Sequence, residues 1–368
     1  MPVKAIFEGR NYSLELKEEA LSFFLANQLS FDVELKFPLD IYRDYNEGDF
    51  DLFFLHKKNV KENEVRQVCL SKTNRRVGWA IPVLSLVSDL HDYSDNEHFL
   101  KYAYIALKLS ISKLNEDIFS KTLELPIDYV QLSDIFHDDT VLLVISKETI
   151  GENKIFEFEK VTSSLVKHGY VQLTSRTPDD ACAISSDEVL NGKINLREAS
   201  GDIKKISLIS QLLNREIAFE NNNLLRFFYV YQIVEVLIEE VYLDQQDSLV
   251  KAIVVDCGDV NKTKMHLENL NKMMSERTRI KKLINDYTRL GGKLNEIRSA
   301  CNELLSKLNK DEAEEFHKYF YDIRNFIFHQ YRNFPQQLTA ELGRVVDEFL
   351  IVLPDFLECY TSSRRQGE

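Results

Sequence analysis

A chain of 368 residues that is 44% hydrophobic and 29% charged has room for two domains and an ordinary folded composition, which excludes a disordered or fibrous protein. Its formal net charge is −13, about −10 of it on residues 1–200 and about −3 on the rest, so the first half repels nucleic acid and any RNA is expected to enter through the second. No apolar run approaches a membrane span, the five Cys (Cys69, Cys182, Cys257, Cys301, Cys359) lack CxxC or metal-type spacing, and the opening MPVKAIFEGRNYSLEL lacks a signal peptide's continuous apolar core, which together point to the reducing cytoplasm.

Residues 1–200 read as a mixed α and β domain. Alternating or β-branched runs at 4–16, 31–37, 50–55, 64–70, 141–145 and 154–158 are strand candidates, with a turn at Asn11. Phe99 to Leu123 is the clearest helix, and a second is expected from Glu157 to His168. Asn74 to Trp79 resembles a hairpin tip, with the chain's one Trp either displayed to a partner or buried. The group Asp89, His91, Asp92, Asp95, Glu97 and His98 has ligand-type side chains at a spacing that fits no metal motif and reads as a polar loop, and His137-Asp138-Asp139 reads as a turn. GxxxxGK[ST] and GxGxxG are both missing, so nucleotide hydrolysis is not indicated.

Residues 201–362 read as an all-α bundle of roughly five or six helices joined by short loops, followed by a flexible tail at 363–368. Helices are expected at 202–220, 224–243, 263–289, 293–308, 311–334 and 336–361, with Asn221-Asn222-Asn223 capping the second and Pro354 kinking the last. The second is apolar over most of its circumference, which argues for a central place, and Arg226 and Glu235 interrupt it. Lys272 to Arg298 concentrates basic residues, among them Arg277, Arg279, Lys281 and Lys282. Such a run either guides RNA by its phosphates or forms a solvated face.

The 311–334 segment carries Arg324-Asn325-Phe326-Ile327-Phe328-His329. Asp311 is placed to cap it, with Glu312, Glu314 and Glu315 in the first turn. At 100° per residue, Phe316, Tyr319, Phe320, Ile323, Ile327, Tyr331 and Phe334 form one apolar stripe, with Lys318, Asp322, Asn325, His329 and Arg332 opposite. An arginine can hold a phosphate oxygen by two parallel bonds, and a histidine can take the proton of a ribose 2′-hydroxyl.

Arg324, Asn325 and His329 in this helical setting resemble the HEPN family (higher eukaryotes and prokaryotes nucleotide-binding), whose motif is an Arg, often a following polar residue, and a His a few positions on. The resemblance covers residues 200–362. It implies a metal-independent endoribonuclease without a cofactor, a homodimer whose two motifs face one groove, RNA as substrate, and a role as a toxin or antiviral effector. In some members an early-helix acidic residue orients the Arg, a place Glu235 fits, with a surface role or structural ion pair as the alternative. Arg277, Arg279, Lys281, Lys282 and Arg332 would then contact RNA, and residues 1–200 would meet a trigger or neutralising partner. The competing expectation is a helical scaffold or sensor that retains the motif without cutting RNA.

Overall fold

The computed structural model describes the chain except for residues 1–2, 20–21, 28–31, 42–44, 116, 152–154, 182–191, 331–333 and 363–368. The expected tail, Cys182, Tyr331 and Arg332 therefore lie outside the described residues. The chain forms two compact units, a sheet-rich one built mainly from Met1–Glu157 and His168–Ala183 and an all-helical one built mainly from Phe158–Lys167 and Arg197–Glu368.

In the first unit, one sheet joins β1 (Val3–Phe7), β2 (Arg10–Glu19), β3 (Ser22–Ala26) and β4 (Asp32–Leu35), edged by β8 (Leu123–Leu125) and β9 (Tyr129–Val130). The other has the order β11-β5-β10-β7-β6-β12, from β5 (Phe50–His56), β6 (Arg66–Leu70), β7 (Arg75–Pro82), β10 (Thr140–Ser146), β11 (Val171–Gln172) and β12 (Lys193–Leu196). Thr140–Ser146 is buried at every position, as a continuous apolar run in a central strand should be. Helix α1 (Glu97–Ser112) packs on β2, β5, β7 and β10, while α2 (Leu132–Ile135) and α3 (Lys147–Ile150) are single turns.

Four details differ from the sequence reading. The first hairpin turns at Glu8-Gly9, φ 48° and 75°, not at Asn11, because the type I′ two-residue turn needs positive φ at both central positions and Gly9 adopts it without strain. Helix α1 ends at Ser112, eleven residues before the expected Leu123. Beyond it, Phe119 N–H bonds the Thr174 carbonyl and Lys121 N–H that of Ile135, so long-range partners outcompete helix continuation. Arg75–Pro82 is a full strand where a hairpin tip was expected, and of the two alternatives for Trp79 it is burial that holds, with Tyr93, Phe99 and Tyr102 around it. Residues 155–157 form no strand and lead into α4 (Phe158–Lys167).

Helix α4 belongs to the helical unit. Val161, Leu165 and Val166 are buried, the Thr162 hydroxyl meets that of Ser210 at 2.9 Å, and Ser164 bonds the backbone of Arg197. There follow α5 (Ile206–Gln211), α6 (Asn223–Val255), α7 (Val260–Lys272), α8 (Glu276–Lys282), α9 (Asn295–Lys307), α10 (Phe316–Gln330) and α11 (Thr339–Cys359). Asn222 caps α6 through the Leu224 N–H. That helix runs twelve residues past Leu243, carried by its packing on α7 and by the Asp247–Lys251 pair. The expected 263–289 helix is broken at Met273–Ser275, where buried Met273 anchors the chain, and the second piece winds into a π turn over Leu283–Thr288. No helix among the described residues is long and apolar enough to cross a membrane.

Candidate active site

Helix α10 is fixed by rings. Phe320 lies 4.8 Å from Phe316, 5.4 Å from Phe227, 5.9 Å from Tyr231 and 5.4 Å from Phe349, centroid to centroid. Burying one such ring stabilises a fold by roughly 1.5–3 kcal/mol, so this cluster holds the helix rigidly against α6 and α11. Its start is later than expected. The Asn302 side chain binds both the N–H and the carbonyl of Ala313, keeping 311–313 out of the helix, and Glu314 is drawn to Arg298 at 2.6 Å. Asp311 therefore caps nothing, and the Glu315 carbonyl takes the first amide bonds, from Lys318 and Tyr319.

One turn beyond Phe320, Arg324 turns toward α6 and α8. Its Nη1 donates to Asn325 Oδ1 at 3.1 Å, while Nη2 lies 3.6 Å from Glu276 Oε2 and 3.9 Å from Glu235 Oε1. The guanidinium sits over the rings of Phe328 at 4.6 Å, Tyr231 at 5.3 Å and Tyr321 at 5.9 Å. The second oxygen of Glu276 accepts the Tyr231 hydroxyl. Burial, then that bond, holds the Tyr231 phenol far above the ordinary range, so it stays a donor. Burial and the neighbouring Glu276 raise Glu235, against the pull of Arg324 and Arg279. Arg324 Nε is buried without a partner among the described residues, a donor still unspent.

His329 stands exposed, one turn after Asn325, and makes no hydrogen bond with a described residue. Five residues separate it from Arg324, which at 100° per residue puts the two roughly 140° apart around the helix. Arg324 faces inward and His329 outward, so the structure does not bring the pair together within one chain. Asn325 is engaged with Arg324, not with His329.

The basic segment divides. Arg277 and Lys281 are exposed on α8, whereas Arg279 lies over the Tyr242 ring at 5.6 Å and Lys282 reaches Gln245 and Asp286. Two of the four expected RNA contacts on α8 are thus occupied by their own unit, and the fifth, Arg332, lies outside the described residues. His91 of the ligand-type cluster is buried, its Nε2 on the Ser85 carbonyl at 2.9 Å and its Nδ1 taking the Tyr93 N–H. Among the described residues no group of three or more His, Cys, Asp or Glu is placed to hold a metal ion.

No protein-family model, curated protein or solved structure matches the chain. What the sequence reading missed is the rest of the Arg324 enclosure: Glu276, Tyr231, Tyr321 and Phe328. The rings look like core residues on a wheel. Glu276 was hidden inside a segment read as one continuous helix, and only the break before it opens a new first turn that can face α10.

The enclosure yields a measurable coupling. Two carboxylates oppose one guanidinium, with side-chain exposures of 18% for Arg324, 19% for Glu276 and 46% for Glu235, so the Glu276 pair is the shielded one. Glu276→Gln keeps an acceptor for Tyr231 and removes the charge. In a double-mutant cycle with Arg324→Gln, an interaction of about 1 kcal/mol is expected from denaturant unfolding. A coupling indistinguishable from zero would mean that Glu276 does not hold Arg324.

Proposed function

We propose that the chain is a metal-independent endoribonuclease of the HEPN type, an RNA-cutting toxin or antiphage effector whose sheet-rich unit senses a trigger or restrains the site. One observation carries this reading: a ring-anchored helix presents an oriented Arg324 on its inner side and, five positions on, an exposed His329 on its outer side. His329 takes the proton of a ribose 2′-hydroxyl, and the 2′-oxygen bonds to the adjacent phosphorus. The bond from phosphorus to the 5′-oxygen breaks, and that oxygen takes the proton from the imidazolium. Arg324 offsets the charge gathering on the phosphoryl oxygens, and Asn325 orients the guanidinium it already touches. The products are a 2′,3′-cyclic phosphate and a 5′-hydroxyl. End analysis of RNA incubated with the purified chain in excess EDTA tests this, and 3′-hydroxyl ends with 5′-phosphates would overturn it.

The outward His329 also argues for two chains. Beside it Phe328 stacks on Phe228 at 5.5 Å and, with Leu225, stays about two-fifths exposed, an apolar rim suited to an isologous contact. A dimer that sets one chain's His329 across from its partner's Arg324 would complete a composite site. Sedimentation is expected to show a dimer, and mixed dimers with one His329→Ala chain should lose much of their activity. A fully active monomer would refute the arrangement.

The non-cutting scaffold has one observation in its favour, the engagement of Arg324 by Asn325, Glu235 and Glu276, which a purely structural ion-pair cluster would also give. The cleavage assay separates the two.

A further inference from the structure

A cavity of about 590 Å³ opens where the π turn after α8 and the starts of α9 and α10 meet. That volume is within the usual range of a small-ligand pocket. Its polar lining includes Arg289, Asn285, Asn295, His317 and Tyr319. His317 and Arg324 are seven residues apart on α10, nearly two turns and about 10 Å of rise, and share one face of the helix with Tyr321 and Phe328. The exposed cations Arg277 and Lys281 border the interval, since both act electrostatically on His317.

The charges favour an anion. Glu314 is neutralised by Arg298 and Glu315 by Lys318, while Arg289 is exposed and makes no ion pair with a described residue. Asn285 and Asn295 bring amides that can both donate and accept, and His317, its pKa lowered by burial, adds a neutral ring with the same versatility. Arg289 holds left-handed φ of 48° two residues before Gly291, its N–H tied to the Ile284 carbonyl at 3.1 Å. The π turn thereby ends with the base of its side chain at the cavity wall.

We propose that this cavity is a nucleotide subsite: Arg289 takes a phosphate of a bound RNA strand, and Asn285, Asn295 and His317 read the edge of an unstacked base. This rests on the ribonuclease reading for RNA as the ligand, but binding can be measured without cleavage. Single-stranded RNA offers what such a pocket recognises, a splayed base with a charged linkage beside it.

The probe is a fluorescein-labelled, fully 2′-O-methylated RNA hexanucleotide, which lacks the attacking hydroxyl and cannot be cut. Arg289→Gly removes the guanidinium and puts in the one residue for which this φ is unstrained, so the fold is kept. Its dissociation constant is expected to rise about tenfold, and the log–log salt slope to shrink by about 0.7, one phosphate's share for a single strand. Lys4→Ala removes an exposed charge from the sheet-rich unit and should change neither. Wild-type affinity and slope in Arg289→Gly would overturn the subsite while leaving cleavage at His329 standing. A wild type that binds the probe through Arg289 yet fails to cut natural RNA would support the subsite and sink the ribonuclease. Failure of the wild type to bind the probe would overturn the subsite, while the ribonuclease reading stands or falls by cleavage of natural RNA.

Discussion

His329→Ala is expected to slow RNA cleavage by roughly two orders of magnitude or more, the usual loss when a general base is removed. The exposure of His329 makes this a clean test. A solvent-facing side chain without hydrogen bonds to described residues contributes little to folding, so the variant's stability should stay within about 0.5 kcal/mol of wild type. Lost activity then reports chemistry, not unfolding. Arg324 is a different case, because its removal leaves Glu235 and Glu276 repelling each other with only the pull of Arg279 on Glu235 to offset it. Arg324→Ala should therefore lose both cleavage and stability, whereas Arg324→Lys keeps the charge, gives up the planar fork and should lose mainly cleavage. Assays run in excess EDTA on the matched set decide the matter. Unchanged cleavage by His329→Ala, or activity abolished by chelator and restored by a divalent ion, would sink the mechanism.

Much of the fold was legible, and the reasons are local. The stripe of Phe316, Tyr319, Phe320, Ile323 and Ile327 is buried as its spacing predicts, and Asn222 caps α6 from within the expected polar run. The continuous apolar run at Thr140–Ser146 is a central strand. Failures came where a distant partner decided the outcome. Asn302, nine residues before Asp311, took the Ala313 backbone and delayed α10. β12 pairs in parallel with β6 from more than a hundred residues away, a choice that no local window records. At the site, the Arg324 to His329 spacing was readable, and Glu235 does lie near the guanidinium. Glu276 lies closer, and a pattern of charges along the chain cannot say which acidic residue of a bundle folds back onto which helix.

The largest expected effect on stability lies in the sheet-rich unit, at Gly78. It sits inside β7, opposite Ile145 of β10. A Cβ built there would lie 2.1 Å from the Val144 carbonyl oxygen, 2.9 Å from Ile145 Cδ1 and 3.0 Å from the Val144 carbonyl carbon. The nearest obstacle is backbone of the central strand, which cannot swing aside as a side chain can, so β7 and β10 must part at that point. Gly78→Ala should cost on the order of 4 kcal/mol, in the range reserved for forced backbone separation or a lost core group. The chain supplies its own reporter, since Trp79, its one Trp, is the next residue and is buried. Denaturant unfolding followed by Trp79 fluorescence should show the midpoint falling sharply. Gly9→Ala, in the same unit, is the comparison. Its Cβ would meet nothing within 4 Å, and its φ of 75° leaves only a backbone penalty of about 1 kcal/mol. If Gly78→Ala costs no more than Gly9→Ala, the strands have room to spare, and the close approach of β7 to β10 does not limit the stability of this sheet.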